Sequence, residues 1–209
     1  VAGGNPPDII LADRFSMSQW VARGVFLPLD DFMKRDANSP GALKQEDFYP
    51  SAWKEVMYDG QVYGIPNWID DRALFYNKDM LIREGLVDEK GQARPPRTWD
   101  ELREYTLRLT KHDAHGNITQ IGFIPGMWEN MLYTFGFLNK ATFISPDGRH
   151  CLSNQPQAVQ ALQYLVDLSD ALGGFQKILR FTSSFGSDAQ DPFLLGQVAM
   201  KIDGGWHLR

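Results

Sequence analysis

The stretch Tyr58–Met80, YDGQVYGIPNWIDDRALFYNKDM, decides how this chain is read. Asp59-Gly60 is a turn signal, because glycine takes positive φ without steric cost. Val62 and Ile65 predict a strand that ends at Pro66, which has no N–H to give a sheet. Ala73–Tyr76 is a second extended, mostly apolar run, and Asn77 suits the N-cap of a helix starting near Asp79. Between the runs lie Asn67, Trp68, Ile69, Asp70, Asp71 and Arg72: an amide, an indole, two carboxylates and a guanidinium. A chain that leaves one strand, displays this set and enters another makes the floor of a ligand site. The same residues also suit a solvated loop in which Asp70 or Asp71 pairs with Arg72.

Composition bounds the rest. The 209 residues are 43% apolar and 22% charged, ordinary for a globular protein and enough for one large or two modest domains. The net charge of −5, with no Lys/Arg cluster, argues against nucleic acid or anionic lipid as a partner. No apolar run approaches the roughly 20 residues that span a bilayer. Cys151 is the single cysteine, so the chain holds neither an internal disulfide nor a thiolate metal cluster, and the thiol is expected to be buried. His112 and His115 flank Asp113 at a spacing that can bind zinc, yet the run through Asn117 has turn composition. No metal and no cofactor is therefore expected. Phosphate-loop, dinucleotide, GxSxG and HExxH signatures are absent.

Upstream, Asp8–Ala12 (DIILA) predicts a buried parallel strand with Asp13 and Arg14 at its carboxyl end, where open α/β sheets bind ligands. Ser16 is the expected cap of a helix to Arg23, closed by Gly24. Asp30 and Asp31 read as first-turn charges of a short helix, and Phe48–Met57 as a helix with Trp53 in the core.

Downstream, Asp79–Glu84 reads as a helix ended by Gly85. Thr98 and Glu101 form a capping box for a helix to about Lys111, with Leu102, Tyr105 and Leu109 buried. Gln120–Ile124 is a predicted strand, and Met127–Phe137 a predicted helix after the Pro125-Gly126 turn. Trp128, Glu129 and Asn130 fall at that junction, with Trp128 either a stacking surface or core. Phe143–Leu152 reads as a small hairpin. Asn154 is the expected cap of a helix that buries Val159, Leu162 and Val166, widened by Ala158, Ala161, Leu165, Leu168 and Leu172, and stopped by Gly173-Gly174. Phe175–Asp188 has loop composition. Gln197–Ile202 is a strand, and Asp203-Gly204-Gly205-Trp206 a turn carrying an indole.

VYGIP, the polar stretch with Arg72 and LFYNKDM together resemble the signature of the family 1 extracellular solute-binding proteins. These are the maltose-binding-protein-like sugar receptors of ABC importers. PDIILADRF, PPRTWDEL, NQPQAVQALQYLVDL and the strand–Asp–Gly–Gly–Trp run extend the resemblance over nearly the whole chain. It departs at Gly205, where the family typically has proline. The resemblance implies an α/β fold of the periplasmic-binding-protein type II kind, with two lobes joined by a hinge and both incomplete here. A partial N-terminal lobe then covers 1–70 and a partial C-terminal lobe 71–209, with the hinge crossing near 67–75. The chain reads as an internal piece of a protein of roughly 400 residues, a size that suits two domains.

The resemblance also implies a site. Asp13 and Arg14 match a pair that hydrogen-bonds sugar hydroxyls, though they also suit a turn and a surface arginine. Asn67, Trp68, Asp70 and Arg72 belong to the crossing, Trp128, Glu129 and Asn130 to the second lobe, and Trp206 matches a stacking aromatic. Indoles pack on the C–H faces of a pyranose, and carboxylates and guanidinium forks each engage neighbouring hydroxyls. The expected function is capture of a neutral sugar or oligosaccharide and its delivery to the permease subunits of an ABC transporter. No catalysis is implied. The implied protein is monomeric and does not span the membrane. It is periplasmic or extracellular, whether free or held by a lipid anchor. A non-sugar solute (polyamine, iron complex or sugar phosphate) is the alternative ligand, and a glycoside hydrolase, which needs two carboxyl groups about 5–10 Å apart, is the remaining class.

Overall fold

Asp59 and Gly60 take φ values of 48° and 78°, the two left-handed residues of a type I′ turn. They join β1 (Met57–Tyr58) to β2 (Gln61–Val62), an antiparallel pair in which Met57 faces Val62. The computed structural model describes residues 4–5, 7–69, 71–126, 131–183, 185 and 191–205. The chain divides into two compact units, Val1–Asp70 and Asp71–Arg209.

The first unit holds α1 (Arg14–Ala22), α2 (Asp30–Asp36), α3 (Pro50–Glu55) and the β1–β2 hairpin. Met17, Val21, Ala52, Trp53 and Val62 are its buried apolar residues. Asp30 does more than charge a first turn: its Oδ2 accepts from Val62 N at 3.0 Å, and Leu29 N donates to Val62 O at 2.7 Å. Three local expectations are corrected here. The strand after the turn stops at Val62, and α3 is shorter than Phe48–Met57. Asp8–Ala12 is not a strand; Ile9 and Leu11 are 89% and 85% exposed. An apolar extended run becomes a buried strand only beside another strand. Among the described residues of this unit the sole ladder is the two-residue hairpin.

The second unit is built on a four-stranded sheet. Its strands are β3 (Arg72–Tyr76), β4 (Lys111–His112), β5 (Ile118–Phe123) and β6 (Val198–Gly204), in the order β3-β6-β5-β4. β6 runs parallel to β5, with Phe123 beside Met200, and antiparallel to β3, with Arg72 beside Gly204. The helices are α4 (Lys78–Arg83), α5 (Trp99–Leu109), α6 (Met131–Leu138), α7 (Pro156–Ala171) and α8 (Phe175–Thr182). Asn77 caps α4 as expected, its Oδ1 accepting from Met80 N at 3.1 Å.

Helix α5 buries Leu102, Tyr105 and Leu109, and Thr98 Oγ1 accepts from Glu101 N at 3.1 Å. The Glu101 carboxylate reaches back to Arg97 N at 2.7 Å, one residue beyond the cap, and to Arg94 Nη1 at 2.9 Å. These bonds hold its carboxyl below the usual glutamate range, the Arg97 N–H contributing most. Gly122 lets the α5 backbone approach β5: a Cβ there would lie 2.3 Å from Thr106 O. Trp99 is a packing residue, its ring 4.7 Å from Tyr164 and 5.5 Å from Phe135.

Four further expectations change. Helix α7 buries Ala158, Ala161, Leu165 and Leu168, with Leu172 just beyond it, whereas Val159, Leu162 and Val166 are close to half exposed. The two sets are one residue apart, so they lie about 100° apart around the helix, and packing chose the set with the small alanines. The cap of α7 is Gln155 without a side-chain bond, not Asn154; Pro156 at the first helical position has no N–H to satisfy. The segment from Phe175 is helical through Thr182 as α8, entered from Gly174 at φ 92° and anchored by buried Ile178 and Phe181. Cys151 is exposed, on the edge of a small hairpin closed by an Ile144–Cys151 bridge. Contacts from the Ser153 hydroxyl and backbone hold its thiol below the usual cysteine value.

Strand β6 also runs further than expected, through Asp203 and Gly204, and all seven of its residues are buried. Two of them are charged. Lys201 Nζ lies 2.9 Å from Asp203 Oδ2 and 2.7 Å from Asp191 Oδ2, and it sits over the Phe193 ring at 5.3 Å. The Lys201 and Asp203 side chains are each 10% exposed. Removing Lys201 takes a positive charge from beside two carboxylates in a poorly solvated place. Lys201→Ala should lower the unfolding free energy by about 3–5 kcal/mol, read as a drop in the urea midpoint at unchanged slope. A loss below about 1 kcal/mol would show that these charges are effectively solvated.

Candidate functional site

Arg14 opens α1, and Asp13 is that helix's N-cap, with Oδ1 accepting from Phe15 N at 2.9 Å. The cap was expected at Ser16. Instead the Ser16 hydroxyl donates to Asp13 O at 2.9 Å, one turn inside. Asp13 thus fixes the start of the helix that presents Arg14. Across from it, α3 presents Ser51 and Glu55, four residues apart and so on one side of the helix. Arg14 Nε lies 3.7 Å from Glu55 Oε1.

Arg14, Ser51, Ala52, Glu55 and Ile69 line a recess of about 130 Å³. Ala52 is buried, and the others reach solvent. Ile69 brings the end of the polar stretch to Arg14. Asn67 and Trp68 are exposed beside it in sequence, Trp68 by 47%. Sequence reasoning missed Ser51 and Glu55 as recess residues. The signal available was their four-residue spacing on the predicted Phe48–Met57 helix.

In the second unit, Arg72 begins β3, and its antiparallel pairing sets it beside Gly204 at the carboxyl end of β6. Asp71 approaches as well: a Cβ on Gly205 would lie 3.4 Å from Asp71 Oδ1. The parallel β5 also directs its carboxyl end this way. This is the side on which α/β sheets receive ligands. Asp70, Trp128, Glu129, Asn130 and Trp206 lie outside the described residues. Asp113 closes its turn, with Oδ1 accepting from His115 N and Asn117 N at 2.8 Å each and Oδ2 from Asn117 Nδ2 at 3.0 Å. Among the described residues no group of three His, Cys, Asp or Glu side chains is arranged to hold a metal ion. No helix among them is long and apolar enough to cross a membrane.

The mixed sheet with helices packed against it is shared with solved type II periplasmic-binding proteins, whose structures cover nearly all of this chain. The family model for bacterial extracellular solute-binding proteins matches residues 1–208, and the chain belongs to that family. The chain is 32% identical to CpMnBP1 in its structure with mannobiose bound, with a TM-score of 0.81, covering 99% of this chain and 50% of that one. Its likeness to Lmo0181 from Listeria monocytogenes, solved with cycloalternan, has a TM-score of 0.77 at 23% identity, covering 98% and 49%. The maltodextrin-binding protein MdxE of Bacillus subtilis is 26% identical over 210 residues, 97% of this chain and 44% of that protein. The chain therefore spans about half the length of the relatives it matches.

The capping role of Asp13 can be separated from any other. Asp13→Ala should destabilise by about 1 kcal/mol and Asp13→Asn by a few tenths, measured by urea unfolding. Equal losses from both would mean that the cap contributes nothing.

Proposed function

We propose that this chain is part of the extracellular receptor of an ABC importer for a neutral sugar or oligosaccharide. The observation that carries the reading is the similarity of nearly the whole chain to CpMnBP1, described with mannobiose and with mannotriose bound, at 32% and 30% identity. The residue chemistry supports it. Asp13, Arg14, Asn67, Asp70, Arg72, Glu129 and Asn130 supply donors and acceptors for a ring of hydroxyls, and Trp68, Trp128 and Trp206 supply indole faces.

The receptor consists of two lobes, a partial N-terminal one over 1–70 and a partial C-terminal one over 71–209, with residues 67–75 as a hinge crossing. A ligand that touches both lobes favours the closed arrangement by the difference between its affinities for closed and open forms. Permease subunits recognise the closed form. The receptor acts as a monomer and breaks no bond in its ligand. It is periplasmic or extracellular, free or lipid-anchored.

The test uses the intact protein that carries this chain. Calorimetric titration with mannobiose, mannotriose and maltotriose should give saturable binding to at least one. Trp206→Ala and Asp13→Ala should each weaken that binding at least tenfold, about 1.4 kcal/mol. Unchanged affinity in both variants would remove the site. Appearance of new reducing ends on incubation with the oligosaccharide would make the protein a hydrolase.

A further inference from the structure

We infer that Glu55 is a further sugar-contacting residue, which with Arg14 clamps one ring hydroxyl and selects uncharged ligands. The inference rests on the sugar-binding reading and adds to it a residue and a rule of selectivity. It begins from a distance. Arg14 Nε and Glu55 Oε1 are 3.7 Å apart. That is within ionic reach but beyond a hydrogen bond, for which N–H···O separations run about 2.7–3.2 Å.

A single oxygen can bridge such a gap. It needs about 2.7–3.2 Å to the nitrogen and about 2.5–3.0 Å to the carboxylate, and any such pair of distances closes a triangle on a 3.7 Å base. The bridging oxygen must accept from the guanidinium and donate to the carboxylate at once. A hydroxyl does both. An ammonium group meets Arg14 as a like charge, and a phosphate meets Glu55 as one. The pair is therefore neutral overall and complementary to a neutral polyol, and it disfavours both a polyamine and a sugar phosphate.

The surroundings fit one edge of a sugar. The recess holds about 130 Å³, well below the roughly 300–1,000 Å³ of a whole small-molecule site. It takes part of a ring, with the rest of the ligand outside. Ala52 and Ile69 give the C–H edge an apolar contact, and the Ser51 hydroxyl lies four residues from Glu55 on the same side of α3. The Arg14 and Glu55 side chains are 36% and 49% exposed, so a ligand can reach both. Exposed pairs of this kind contribute little to the stability of a fold, so stability gives little reason for the arrangement.

The test measures mannotriose affinity by calorimetry, together with thermal melts, in the intact protein that carries this chain. The proteins compared are wild type, Glu55→Ala, Glu55→Gln, Arg14→Ala and the double alanine variant. Glu55→Ala should lose at least tenfold in affinity with its melting temperature within a few degrees of wild type. Glu55→Gln, which keeps an acceptor oxygen, should lose less. The double variant should lose distinctly less than the product of the two single losses, because both groups hold one hydroxyl. Wild-type affinity in Glu55→Ala, or losses that simply multiply, would overturn the clamp while leaving the sugar-receptor reading standing. Tighter binding of mannose 6-phosphate than of mannotriose by the wild type would also overturn it. If the wild type binds no sugar at all, both readings fall together.

Discussion

The structure of the second unit depends on the seating of β6 between β3 and β5. Residues 198–204 enter the sheet last in sequence yet occupy its centre, hydrogen-bonded on both sides. With β6 absent, β3 and β5 would each present a row of unpaired N–H and C=O groups, and the strand order could not exist. The long connection through α6, α7 and α8 places the helices whose apolar sides pack with this strand. Ala199, Met200 and Ile202 join one buried cluster and Val198 another. The cost of this arrangement falls on Lys201 and Asp203, charged groups on a fully buried strand. They are tolerable because they face each other and because Asp191 adds a second carboxylate.

The same seating organises the polar end of the sheet. Since β3 runs against β6, the residue that opens β3 is brought to where β6 ends. Arg72 and Gly204 therefore become neighbours although more than half the chain separates them. The first unit achieves a comparable convergence by shorter means. Asp13 begins α1, α3 turns Ser51 and Glu55 to one side, and Ile69 closes the recess. In the recess, hydrogen-bonding groups stand beside the apolar side chains of Ala52 and Ile69.

Particular residues show how far the sequence could be read. The Asp59-Gly60 turn, the Asn77 cap, the Thr98 cap and the buried face of α5 were legible, because each rests on contacts within a few residues. Asp8–Ala12 and α8 were not. DIILA has strand composition but no neighbouring strand among the described residues, and α8 hides its helical spacing in a short segment after two glycines. The Cys151 thiol went the other way: its frequency as a buried residue type predicted burial, but it pairs with exposed Ile144 on the outward side of a hairpin whose inward side is given to Phe143.

Sequence by itself determined the Asp59-Gly60 turn, the Asn77 and Thr98 caps, most of the helical stretches and, through its motifs, the family. These follow from backbone sterics, hydrogen-bond spacing and side-chain chemistry that act within a few positions of one another. Tertiary structure alone decided which of two apolar stripes on α7 is buried, that Asp191 and Asp203 both reach Lys201, and that Glu55 stands 3.7 Å from Arg14. Each of those outcomes depends on groups distant along the chain, and no local pattern encodes which distant surface will arrive.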